Sequence, residues 1–165
     1  MAPYIVAILA VVLILSWTPF PDWFFSLPFL GRRNFRPYEQ EAFDLWKSSL
    51  EKQELEILEA QFKQLKLIQR GAGDARIACF YHNEKDLVLF RNNAPNLHLA
   101  TVEFEPNGSG NTNPIYAKFY LHCGRFYSIE FPKRPKRLTQ QRGIKIEDLK
   151  ATRIVYSVSP SFQVR

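Results

Sequence analysis

The hydrophobic pattern changes character along the chain. Residues Ala2 to Phe20 carry no side-chain charge, and Tyr4 to Leu15 is almost continuously aliphatic. A helix needs about 20 apolar residues to cross the hydrocarbon core of a bilayer. Trp17 and Trp23 flank the end of the run as interfacial aromatics do, and Pro19 and Pro21 would close a helix there. Residues 1–30 therefore read as a hydrophobic membrane anchor with an interfacial segment, contacting the lipid bilayer through residues 2–20. A cleaved signal peptide, with secretion of the remainder, is the alternative. It expects a basic start and a small-x-small cleavage site. The start lacks Lys and Arg, and the best site, Ser16-Trp17-Thr18, is followed by Pro19. A buried core helix is the third reading.

After a connector at 31–37 the period becomes helical. Pro37 suits a first helical position, and from Tyr38 to Arg70 there is neither Gly nor Pro. Glu39, Glu41 and Asp44 lie early and Lys63, Lys66 and Arg70 late, which complements a helix dipole, with Gly71 as the expected C′ residue. Phe43, Trp46 and Leu50, then Leu55, Leu58, Phe62 and Leu65, form two stripes that Gln53 and Glu54 put out of phase. The pattern predicts one helix bent near Ser48–Gln53, or two. Sustained heptads are absent, so the stripes are read as contact with a sheet rather than a coiled coil.

Beyond Gly73 the pattern turns to short β-branched and aromatic runs divided by turn residues. Expected strands are Ala75–His82, Asp86–Arg91, His98–Glu105, Tyr116–His122, Phe126–Phe131 and Thr152–Val158, with a short helix at Ile144–Lys150. The fold class is α+β: an N-terminal transmembrane helix, then a long or bent helix packed on an antiparallel sheet of five to six strands. Residues 38–165 form its single small domain. Around Cys123-Gly124-Arg125 a three-residue loop would pair Tyr120 with Ser128 and Lys118 with Glu130. Phe119, Leu121, Tyr127, Ile129 and Phe131 would then share the buried face, because a one-residue slip turns every side chain over. Tyr116, Lys118, Tyr120, His122, Phe126, Ser128 and Glu130 would take the other face.

Composition narrows the class. The 165 residues are 46% hydrophobic and 23% charged, which excludes a wholly disordered chain. Two cysteines exclude a disulfide scaffold. The net charge of +6 is concentrated: residues 132–165 hold 9 basic and 2 acidic groups, and the rest of the chain sums to about neutrality. Lys133, Arg134, Lys136 and Arg137 crowd a six-residue stretch, and Arg32, Arg33 and Arg36 follow the apolar segment. By the positive-inside rule these arginines place the C-terminal domain in the cytoplasm of a single-pass protein. The seven cations are candidate contacts for an anionic surface, with lipid headgroups the expected partner of the basic tail. Nucleic acid is disfavoured, because no aromatic lies between Lys133 and Arg153 to stack on bases.

No reaction is specified. Walker A and GxSxG sequences are absent, and Gly71-Ala-Gly73 follows a predicted helix, whereas a dinucleotide loop follows a strand. Cys79 and His82, three apart on a strand, point to opposite faces, so no metal centre is expected and Cys79 reads as a small core hydrophobe. His98 alternates with Ala100, Val102 and Phe104 and reads as a partly buried, hydrogen-bonded histidine. Glu103 and Glu105 read as solvated. Nothing implies a catalytic residue, a cofactor or a named protein partner. Tyr116, Tyr120 and His122 remain as a candidate binding face. The chain reads as a membrane-tethered, non-enzymatic interaction module. The alternatives are an enzyme whose catalytic residues no motif marks, or a nucleic-acid binder using the basic tail.

Overall fold

The computed structural model describes residues 34–71, 74–106 and 114–161. The chain divides into two units after Leu30. The expected anchor, and Arg32 and Arg33, lie outside the described residues. Within them, α1 (Pro37–Lys47) and α2 (Lys52–Lys63) precede strands β1 (Leu65–Gly71), β2 (Arg76–Tyr81), β3 (Leu97–Pro106), β4 (Ile115–His122) and β5 (Arg125–Glu130). Helix α3 (Pro135–Gln141) and β6 (Leu149–Ser157) complete the order. The six strands form one antiparallel sheet in the order β1-β2-β5-β4-β3-β6. This is the expected α+β architecture.

The helical block is two helices. Serine hydroxyls compete with backbone N–H groups for helical carbonyls: Ser48 Oγ donates to Leu45 O at 2.7 Å and Ser49 Oγ to Trp46 O at 2.6 Å. The chain restarts at Glu51, whose N–H donates to the Glu54 carboxylate at 3.2 Å, the reach-back of a capping box. The second helix stops at Lys63. The expectation that it runs to Arg70, with Lys66 and Arg70 as C-terminal cations and Gly71 as C′, is corrected. Leu65–Gly71 is an edge strand paired with β2 through Leu67–Phe80 and Ile68–Cys79. Tertiary pairing overrides a locally helical composition there. A register shift between Leu65 and Leu67 sets Ile68 into the core and lets Arg70 reach the buried Glu39.

Asp86–Arg91 is also corrected: it holds the end of a 3-10 turn at Glu84–Asp86 and an extended stretch outside the sheet. That stretch is tied down by Phe90 N–H donating to Gly124 O at 2.8 Å. The expected helix at Ile144–Lys150 is a 3-10 turn at Ile146–Asp148, and β6 begins at Leu149 rather than Thr152.

Alternation on β4 decides which face is buried. Ile115, Ala117, Phe119 and Leu121 are all essentially inaccessible and face the helices. Trp46 lies on Phe119 and Phe126, with ring centroids 5.3 and 5.4 Å away. Tyr38 of α1 reaches Phe104 and Phe131 at 6.4 and 6.0 Å, so α1 crosses β3, β4 and β5. Gln61 of α2 braces the hairpin end. Its amide donates to Val88 O (2.8 Å) and Gly124 O (3.0 Å) and accepts from Phe126 N–H (2.9 Å).

The β4–β5 register holds at its open end: Lys118 faces Glu130, Phe119 faces Ile129 and Tyr120 faces Ser128. Near the turn it departs from expectation. Leu121 pairs with Phe126 and His122 with Arg125, so the loop has two residues and Tyr127 is the extra residue of a bulge. Cys123 (φ 49°) and Gly124 (φ 76°) both take positive φ, as a type I′ hairpin turn requires. A Cβ at Gly124 would stand 2.8 Å from Phe90 O, so the turn has no room for a side chain. Phe126 is consequently the buried aromatic, and Tyr127 turns outward, the reverse of the expected assignment.

Candidate anion-binding surface and open sheet face

The basic segment is a structured turn and helix. Phe131 anchors it in the core, Pro135 opens α3 as its first residue, and Thr139 is buried. These fixed points leave Lys133, Arg134, Lys136 and Arg137 exposed around them. The described ion pairs include none of the four. Arg36, a fifth candidate cation, is committed elsewhere: its Nη1 donates to Asp74 Oδ2 at 2.6 Å. Lys133, Arg134 and Arg137 surround a hollow of about 400 Å³ whose other walls are Pro132, Leu138 and Gln141. Among the described residues no carboxylate lines it. A neighbouring hollow of about 350 Å³ shares Pro132, Lys133 and Leu138 and adds Pro114, Ile115 and Tyr116.

Tyr116 therefore stands at the junction of two regions that the sequence separates. It belongs to the face of β4 turned away from the helices, with Lys118, Tyr120 and His122. That face is filled by its own neighbours. The Tyr120 ring lies 5.3 Å from His98, and His98 stacks on Tyr156 at 4.7 Å and 14°. His122 is hydrogen-bonded to Pro95 O and lies 5.4 Å from Tyr127, over which the Arg76 guanidinium sits at 5.3 Å. Charges alternate in sign: Arg76 pairs with Glu130 at 3.2 Å and Arg153 with Glu103 at 3.1 Å. Ser128 is covered on this face, and Phe126, expected here, lies in the core. Glu103 is buried beneath Arg153, where the sequence suggested a solvated carboxylate, and Glu105 is exposed as expected. Tyr116 and Tyr156 are the aromatics of this face left substantially open.

His98 is partly buried, and its Nε2 lies 3.0 Å from Ala100 O and 2.9 Å from Thr101 Oγ1. Burial lowers its pKa below the ordinary value, opposed by the Ala100 carbonyl and assisted by the Lys118 charge. Tyr120 from β4 and Tyr156 from β6 complete its surroundings. The unfolded chain thus takes up this proton before the folded one does. Stability is expected to be complete above an unfolded pKa of about 6.5 and to fall as pH drops through it toward the folded value. The urea midpoint should be lower near pH ~5.5 than near ~7.5, and His98→Gln should reduce that difference. An unchanged difference would assign it to other groups.

Cys79 lies in the core, where burial pushes its thiol well above the usual range, while His82 is exposed. Among the described residues no group of three or more His, Cys, Asp or Glu side chains is placed to hold a metal ion. A hollow of about 390 Å³ between α1, α2 and β1 is lined by apolar residues including Phe43, Leu58 and Phe62. Its carboxylates are engaged, Asp44 with Gln40 at 2.8 Å and Glu59 with Lys47 at 3.0 Å. Among the described residues no helix is long and apolar enough to cross a membrane. Compared with known proteins, the chain matches no family model, no curated protein and no solved structure.

Proposed function

We propose that the protein is a membrane-tethered interaction module, held by its N-terminal apolar segment and drawn to anionic headgroups by its basic segment. The observation that carries this reading is the set of four exposed cations, Lys133, Arg134, Lys136 and Arg137, with no ion pair among the described residues. Cations already balanced by carboxylates gain little from a charged surface, whereas free ones contribute ~1 kcal/mol each near anionic headgroups. The uncharged stretch Ala2–Phe20 supports the tether. The sheet domain is the part presented to other molecules, and its cytoplasmic placement follows from the arginines beside the tether.

Full-length protein is expected to resist alkaline carbonate extraction with its N-terminal residues intact. After reconstitution, amine-reactive labelling of Lys133 and Lys136 should fall when phosphatidylserine is added to phosphatidylcholine vesicles, and salt should restore it. Release by carbonate, or a mature terminus near Pro19, overturns the tether. Labelling indifferent to lipid charge overturns the headgroup contact.

A further inference from the structure

The two adjoining hollows beside α3 differ in chemistry and share a wall. One is lined by three cations, Lys133, Arg134 and Arg137. The other has the apolar and aromatic walls Pro114, Ile115 and Tyr116. Pro132, Lys133 and Leu138 belong to both, so a ligand with an anionic end and an apolar end can occupy them together. We infer that this pair of hollows is a binding site for a single phospholipid whose head group ends in a phosphomonoester. The inference deepens the headgroup contact proposed above and rests on it.

The charge arithmetic favours the monoester. A phosphodiester brings one negative charge to three cations. A monoester brings about −1.5 to −2 at neutral pH and three acceptor oxygens. Two of the three cations are arginines, whose planar forks donate two parallel hydrogen bonds to phosphate. The residues stand on a turn pinned by Phe131, Pro135 and Thr139, all buried, so the cations project from fixed backbone rather than from a loose tail. Tyr116 supplies an amphipathic ring next to the cations, as at a membrane interface. Nucleic acid would also use cations and one exposed ring. On the open face beyond Tyr116, however, Arg76 is paired with Glu130 and Arg153 with Glu103, so these cations are balanced by carboxylates rather than offered to a phosphate backbone.

The test uses full-length protein in neutral-detergent micelles, titrated with dioctanoyl phosphatidic acid, dioctanoyl phosphatidylserine, glycerophosphate and oligothymidylate. Phosphatidic acid should saturate at one lipid per chain and bind about tenfold or more tighter than phosphatidylserine, the scale of one charge-assisted contact. The double variant Arg134→Gln/Arg137→Gln should lose about tenfold or more, whereas Lys66→Gln, an exposed lysine of β1 that lines neither hollow, should stay within about twofold. Tyr116→Ser should weaken phosphatidic acid and leave glycerophosphate unchanged. Equal binding of the two lipids, or of glycerophosphate and phosphatidic acid, overturns the site. So does tighter binding of oligothymidylate, which would assign the cluster to nucleic acid. If lysine labelling still responds to phosphatidylserine vesicles while phosphatidic acid fails to saturate, the built site falls and diffuse attraction stands. If labelling is indifferent to lipid charge, the broader reading falls with it.

Discussion

Glu39→Ala is expected to destabilise the sheet domain by about 3–5 kcal/mol, because it leaves a largely buried guanidinium without its partner. Glu39 has no accessible surface, and the Arg70 side chain retains 10%. The carboxylate accepts from Arg70 Nε at 3.0 Å, from Arg70 Nη2, and from Arg36 N–H at 2.8 Å. It thereby satisfies an orphan donor at the start of α1 and ties that helix to edge strand β1. Without it, Arg70 keeps, among the described residues, the hydrogen bond from Nη2 to Asn34 O at 3.2 Å. The size of the loss says nothing about the net worth of the pair, since two apolar residues of similar volume can replace a buried ion pair at little cost. Glu39→Leu/Arg70→Met should therefore recover much of what Glu39→Ala loses. Breaking Lys47–Glu59, whose side chains are 33% and 51% exposed, should cost ~0–1 kcal/mol. Urea midpoints of the four proteins check this. A Glu39→Ala midpoint no lower than that of Lys47→Ala would mean that α1 is not held to β1 through this carboxylate.

The same pair shows why part of the fold was hidden in the sequence. Glu39 and Arg70 looked like the two charged ends of one helix block, an arrangement that favours the helix dipole. They are instead a tertiary contact between a helix and a strand, 31 positions apart. Nothing local ends α2: Gln64 caps it with φ −92° and ψ 5°, without the Gly or Pro that would have marked the stop. β1 was invisible for that reason, and the six-strand count came out with Leu65–Gly71 in place of Asp86–Arg91. The central strands were legible because their faces differ chemically. Ile115, Ala117, Phe119 and Leu121 alternate with Tyr116, Lys118, Tyr120 and His122, and period-two alternation survives any small error in strand ends.

The candidate site divides in the same way. Its cations were readable as a cluster of letters, since four charges in six residues need no fold to be noticed. That Pro135–Gln141 is helical, and that Lys133 and Tyr116 line one hollow, depends on β4 and the turn after β5 meeting in space. Tyr116 lies well before the basic stretch in the sequence and reaches it because the sheet, not the local chain, delivers it.

Phe126→Ala is expected to cost about 3–5 kcal/mol, and Tyr127→Ala much less, which tests the bulge directly. Phe126 has no accessible surface, and its ring centroid lies 5.4–5.7 Å from Trp46, Phe43 and Phe62 and 6.2 Å from Phe119. Truncation leaves a cavity among four rings contributed by both helices and β4, and aromatic rings at fixed tilt collapse poorly into such a space. Tyr127 is half-buried on the open face, between His122 and the Arg76 guanidinium, and its loss removes edge contacts only. A three-residue loop would exchange these roles, placing Tyr127 opposite Leu121 in the core and Phe126 outside. The ordering of the two midpoints therefore reads the register. If Tyr127→Ala is the more damaging change, the hairpin closes through three residues. Lys118, opposite Glu130 in both registers, serves as the control, since Lys118→Ala should shift the midpoint little in either case.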